Sequence, residues 1–136
     1  MQAHAYVAIV TILALLTYFW MIMRVGGARR KCGISAPQMT GDAVLERHIR
    51  VQANTLEWLP IFLPSLWLFS LFWKPQDPTG IIAAAIGLVW IIGRVLYALG
   101  YVADPKKREL GFLIQSLSVA VLMFGALGKA ILILLA

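Results

Sequence analysis

Apolar residues fall into four long runs along the chain, 3–23, 51–73, 80–102 and 110–135, separated by polar punctuation. A helix rises 1.5 Å per residue and a bilayer core is about 30 Å thick, so a run of roughly 20 apolar residues is enough to cross it. The pattern predicts four transmembrane helices. The first run carries no formal charge, the second contains Glu57, the third Arg94 and the fourth Lys129 near its end. Between them lie one polar segment, 24–50, and two short connections, so the chain reads as a single membrane domain over 1–136 with no room for a soluble one. The first run is read as a retained helix rather than a cleaved signal. No basic residue precedes it, and the basic cluster follows it instead.

Composition agrees: 61% of residues are hydrophobic and 13% charged, against about 45–50% and about 25% in soluble domains. A disordered chain is excluded, since disorder needs low hydrophobicity. The lone cysteine, Cys32, excludes an intramolecular disulfide; its place in the polar segment reads as incidental. The net charge is +6, and its distribution matters more than its size. Arg24, Arg29, Arg30, Lys31, Arg47 and Arg50 lie in the first connection, and Lys106, Lys107 and Arg108 in the third. With four spans these connections share one face, so nine of the twelve basic residues sit there. The positive-inside rule makes that face cytoplasmic and puts both termini on the other side.

Charges within spans cost on the order of 2.5–3.5 kcal/mol on insertion scales and mark bundle interiors and functional sites. Glu57 and Arg94 lie at matching depth in the cytoplasmic halves of their helices, so they are expected to form an ion pair. Arg50, Asn54 and Glu57 are spaced i, i+4, i+7, and Arg94, Tyr97 and Tyr101 i, i+3, i+7, each set on one helix face. With Arg108 opening the fourth helix and Arg29 and Arg30 ending the first, these faces predict a cationic recess near the inner membrane surface. It suits a small, polyanionic, amino-acid-like ligand. Arginines would clamp carboxylates bidentately, Glu57 would neutralise an ammonium, and Asn54 and the tyrosine hydroxyls would orient the ligand. Gln52 points elsewhere on its helix and, in an oligomer, would reach a site shared with a neighbouring subunit. Pro60 and Pro64 predict a kink in the second helix.

The run Glu46-Arg47-His48-Ile49-Arg50-Val51-Gln52-Ala53-Asn54-Thr55-Leu56-Glu57-Trp58-Leu59-Pro60 resembles the signature E-R-x-x-R-x-Q-x-N-x-x-E-[YFW]-x-P of the MAPEG family, the membrane-associated proteins in eicosanoid and glutathione metabolism. A second run, Arg94 to Tyr101, resembles that family's R-x-x-Y-x-x-G-Y, with Lys106-Lys107-Arg108 following at the family's spacing. The resemblance implies an all-α, left-handed four-helix membrane bundle assembled as a homotrimer, with glutathione bound between adjacent subunits on the cytoplasmic side. It implies that Arg50, Asn54, Glu57, Tyr97 and Tyr101 come from one subunit, that Arg29, Arg30 and Gln52 come from its neighbour or rim the site, and that Arg94 is a structural partner beneath it. Arg108 aligns with the arginine thought to activate the glutathione thiol. Trp58 stands where tyrosine is commoner, which removes one hydroxyl.

The implied activity is a glutathione transferase, with possible peroxidase activity on lipid hydroperoxides. A thiol of pKa about 8.5 is a good nucleophile only as thiolate, and a fixed guanidinium favours the anion. No metal is called for. The second substrate is a lipophilic electrophile dissolved in the membrane, and the expected location is a bacterial inner membrane. The alternative is a family member without catalysis, binding a lipid or an interaction partner. A small multidrug exporter fits poorly, because its acid lies in the first span and this first span has none.

Overall fold

The computed structural model describes residues 4–136, so the expected start of the first span at residue 3 lies outside the described residues. Four helices make the fold: α1 (Ala5–Cys32), α2 (Ala43–Phe72), α3 (Ile81–Ala103) and α4 (Glu109–Leu135), with a 3-10 turn at Pro105–Arg108 between the last two. All four are long and apolar enough to cross a membrane.

Two helices outrun their apolar stretches. α1 continues past position 23 to Cys32, and α2 starts at Ala43 rather than at 51. The polar segment thereby shrinks to 33–42, and Arg24, Arg29, Arg30, Arg47 and Arg50 are helical. Apolarity reports the bilayer, not the helix, and Arg and Lys are good helix formers. α1 stops where Gly33 adopts φ 72°, its N–H bonding the Arg29 carbonyl, and Arg29, Arg30 and Lys31 meet the negative end of the helix dipole. α2 starts at Asp42, whose carboxylate accepts from Leu45 N–H at 2.8 Å. Glu46 reaches back to accept from Gly41 N–H at 3.0 Å, satisfying donors that a helix start leaves open. The helix then runs unbroken through Pro60 and Pro64.

The helices alternate in direction. Arg47, near the start of α2, donates to the Val102 and Ala103 carbonyls at the end of α3. At the opposite end, His4 Nδ1 and Ser70 Oγ lie 3.1 Å apart, and Trp73 Nε1 donates to the Gly125 carbonyl at 3.0 Å. The connections 33–42 and 104–108 therefore share one end, and nine basic residues gather there. Along the bundle axis Phe62 and Trp90 stack with centroids 3.9 Å apart, among Val7, Leu66 and Leu122. The outward surface stays apolar, with Ile9, Leu16, Phe19, Ile92 and Leu113 exposed.

Lipid is as apolar as leucine, so helix pairing inside it depends on close packing and small residues. The α3–α4 seam shows this most sharply. A Cβ on Gly93 would lie 2.7 Å from the Gln115 backbone nitrogen, and one on Gly111 would lie 2.6 Å from the Gly93 carbonyl oxygen. This close approach sets the basic start of α4 beside the α3 tyrosines.

Candidate functional site

One face of α2 carries Arg50, Asn54 and Glu57 as helical spacing requires. Arg50 Nη1 donates to Glu57 Oε1 at 3.3 Å, and Asn54 Nδ2 donates to Glu57 Oε2 at 3.4 Å. From α3, Arg94 enters fully buried. Its Nη1 donates to Asn54 Oδ1 at 3.1 Å and its Nη2 to Thr55 Oγ1 at 2.6 Å, and the guanidinium lies 4.3 Å from the Tyr97 ring centroid. The expected Arg94–Glu57 ion pair is not formed. Among the described residues Glu57 pairs with Arg50 instead. Equal depth favours that pair, but depth says nothing about azimuth. Asn54, one turn from Arg50 and facing α3, takes the buried cation and passes its other amide atom to Glu57. The four side chains form one series: Arg94, Asn54, Glu57, Arg50.

The series is buried at one end and wet at the other. Arg50 and Glu57 side chains are 53% and 58% exposed, so their ion pair contributes about 0–1 kcal/mol and yields readily to a ligand carboxylate. Arg94 is held by neutral acceptors and a ring face, and its Nε has no partner among the described residues.

α4 closes the site. A recess of about 450 Å³ is lined by Arg50, Asn54, Tyr97, Arg108, Glu109 and Phe112. The Arg108 guanidinium lies 5.6 Å from the Tyr101 ring centroid, and the Tyr97 and Tyr101 rings are 5.6 Å apart. Four of the expected site residues, Arg50, Asn54, Tyr97 and Arg108, thus line one recess, and Glu57 and Tyr101 adjoin it through bonded or stacked neighbours.

Three others do not converge on it within the chain. Gln52 Nε2 donates to the Tyr18 hydroxyl at 2.8 Å, facing α1. Arg29 Nη1 donates to the Gln38 and Ile34 carbonyls at 2.6 and 3.4 Å, tying down the 33–42 connection. Arg30 is exposed near the end of α1. The sequence pattern does not single out Thr55 or Phe112. Thr55 also donates to the Val51 carbonyl at 2.9 Å, and such a hydroxyl reads in sequence as filler in an apolar run. Phe112 lies one turn beyond Arg108, a spacing that does place it on the same face. With Arg50, Arg94 and Arg108 against Glu57 and Glu109, the recess favours an anion and offers two exposed guanidinium forks for carboxylates.

The chain is 48% identical over 120 residues to an uncharacterized protein from Synechocystis sp., covering 88% of this chain and 84% of that protein. It is 37% identical over 124 residues to human microsomal glutathione S-transferase 2, covering 90% and 81%. Against leukotriene C4 synthase from Bos taurus the identity is 35% over 104 residues, covering 76% and 66%. The family model described as MAPEG family matches residues 7–128. With a match of that extent and relatives of that similarity, the chain belongs to the MAPEG family, as an integral membrane protein of four helices.

Proposed function

We propose that the protein is a membrane glutathione transferase. It joins the thiol of glutathione to lipophilic electrophiles and reduces lipid hydroperoxides at the same site. The observation that carries this reading is the recess between α2, α3 and α4, where Arg50, Asn54, Tyr97 and Arg108 converge at the polar end of an otherwise apolar bundle. Similarity to a microsomal glutathione S-transferase and to leukotriene C4 synthase supports it.

Arg50 takes a glutathione carboxylate, releasing Glu57 towards the ligand's ammonium. Asn54 and the tyrosine hydroxyls fix the orientation. Arg108, the last residue of the 3-10 turn that leads into α4, stands by the sulfur and favours its thiolate. The thiolate attacks an electrophilic carbon, forming the C–S bond as the leaving group departs with its electron pair. With a hydroperoxide it attacks the terminal oxygen. The O–O bond breaks, the lipid leaves as alcohol after protonation, and a second glutathione converts the sulfenic acid to disulfide and water. The polar substrate comes from the aqueous side and the apolar one from the bilayer, which is the reason for a membrane-embedded site.

The active unit is a homotrimer, with the neighbour's Arg29, Arg30 and Gln52 rimming the site. The half-exposed Arg50 and Glu57 in the single chain leave room for that neighbour. The basic end faces the cytoplasm, both termini lie on the other side, and the membrane is a bacterial inner membrane. The test is conjugation of glutathione to an aryl halide by the purified protein, followed by absorbance, with a lipid hydroperoxide assayed in parallel. Turnover of the halide that is lost in Arg50→Ala supports the reading. Absence of turnover with both substrates in folded protein contradicts it.

A further inference from the structure

A second recess, of about 510 Å³, opens on the α1–α2 side of the basic end and shares no lining residue with the first. Arg24, Gly27, Ala28 and Lys31 line it from α1 at i, i+3, i+4, i+7 spacing, and Val44 and His48 from α2. The small Gly27 and Ala28 leave a low floor between two cations. Arg24 is positioned by its guanidinium over the Trp20 ring, 4.8 Å from the centroid. Neither Arg24 nor Lys31 has a carboxylate partner among the described residues.

His48 is the telling group. It is only 9% exposed, borders the recess, and its ring has no hydrogen-bond partner among the described residues. Its ring nitrogens stay accessible from the recess, where an imidazole N–H without a protein partner can donate to a ligand acceptor. Cys32, also in the wall, is occupied locally: its thiol donates to the Arg29 carbonyl at 3.6 Å.

Position and charge identify the ligand's chemistry. Trp20 and Arg24 stand where the apolar run 3–23 ends, the level of lipid phosphates. Arg24 and His48 also border a closed apolar seam made by Met21, Val51, Ala98 and Val102, so the polar recess meets the packed apolar interior on its inner side. Asp42 contributes a carboxylate to the rim, which opposes a free phosphate monoester of about −1.5 to −2 charge more than a singly charged phosphodiester. We propose that this recess binds the phosphodiester headgroup of a membrane phospholipid, with Arg24, Lys31 and His48 donating to its non-bridging oxygens.

The experiment is native mass spectrometry of the full-length protein reconstituted with phosphatidylglycerol and released into detergent. Wild type should keep bound phospholipid. Arg24→Gln and His48→Phe should each lower the retained fraction by about tenfold, as loss of a charged or buried hydrogen bond implies, and millimolar inorganic phosphate should not displace the lipid. Thermal melting monitors folding. If Arg24→Gln does not fold, Lys31→Gln, altered only at an exposed side chain, carries the same comparison. Retention that is equal in wild type and the folded variants, or lipid displaced by inorganic phosphate, overturns the proposal.

Discussion

Arg94 and Asn54 are bonded across α3 and α2 at 3.1 Å, guanidinium Nη1 to amide Oδ1. This bond decides which way the Asn54 amide faces. With its oxygen held from below, its nitrogen is turned to Glu57 and so to the ion pair with Arg50. The buried cation therefore acts on the recess through its neighbour. Arg94→Met, close in length and apolar, should destabilise by about 1–3 kcal/mol, because the desolvation cost leaves with the charge while the Asn54 amide oxygen loses its donor. Glutathione affinity should fall about tenfold, the worth of one misoriented charge-assisted contact. Calorimetric titration beside thermal melting separates the two. Large destabilisation with unchanged affinity would make Arg94 merely structural.

Gly111 and Gly128 make a controlled pair on α4. A Cβ at Gly111 would lie 2.6 Å from the Gly93 carbonyl oxygen, whereas one at Gly128 meets nothing within 4 Å. Gly111→Ala should destabilise by about 1–3 kcal/mol, as overpacking does, and weaken glutathione binding by moving Arg108 away from Tyr97. Gly128→Ala should be neutral or gain up to about 1 kcal/mol from helix propensity. Melting temperatures of the two variants check the contrast.

Glu57 is assigned to the ligand's ammonium, and its exposed pairing with Arg50 contributes little to the fold. Glu57→Gln should leave unfolding within about 1 kcal/mol of wild type. It should weaken binding of glutathione but not of an analogue lacking the amino group. Equal weakening of both ligands would remove Glu57 from that role.

Arg108 is assigned to the thiol. Arg108→Ala should raise the bound thiol's pKa by about one unit, each unit being 1.36 kcal/mol. The thiolate absorbance near neutral pH then falls while most of the binding remains, and Arg108→Lys should recover part of the signal. An unchanged thiolate signal would move the role to another cation at the basic end.

Much of this arrangement can be read from residue spacing, for a geometric reason. Helical periodicity alone puts Arg50, Asn54 and Glu57 on one face, and Arg94, Tyr97 and Tyr101 on another. Periodicity does not say which face meets which: depth matches Arg94 to Glu57, while rotation of the helices delivers it to Asn54 and Thr55. The apolar runs stop short of the ends of α1 and α2 because apolarity marks the bilayer. The marks of the true ends, Gly33 and Asp42, lie inside the polar segment and are legible as helix stop and cap. The glycines of α3 and α4 show that close packing is possible, but only the three-dimensional seam singles out Gly93 and Gly111. Gln52 and Arg29 lie away from the recess within one chain.

The central claim is that the recess between α2, α3 and α4 is a glutathione site. Isothermal titration of glutathione into the folded full-length protein, alongside Arg50→Ala, tests it most directly. Saturable binding to wild type, weakened about tenfold or more in Arg50→Ala by loss of a charged carboxylate contact, is the predicted result. No binding heat in folded wild type, or the same affinity in both proteins, would contradict it.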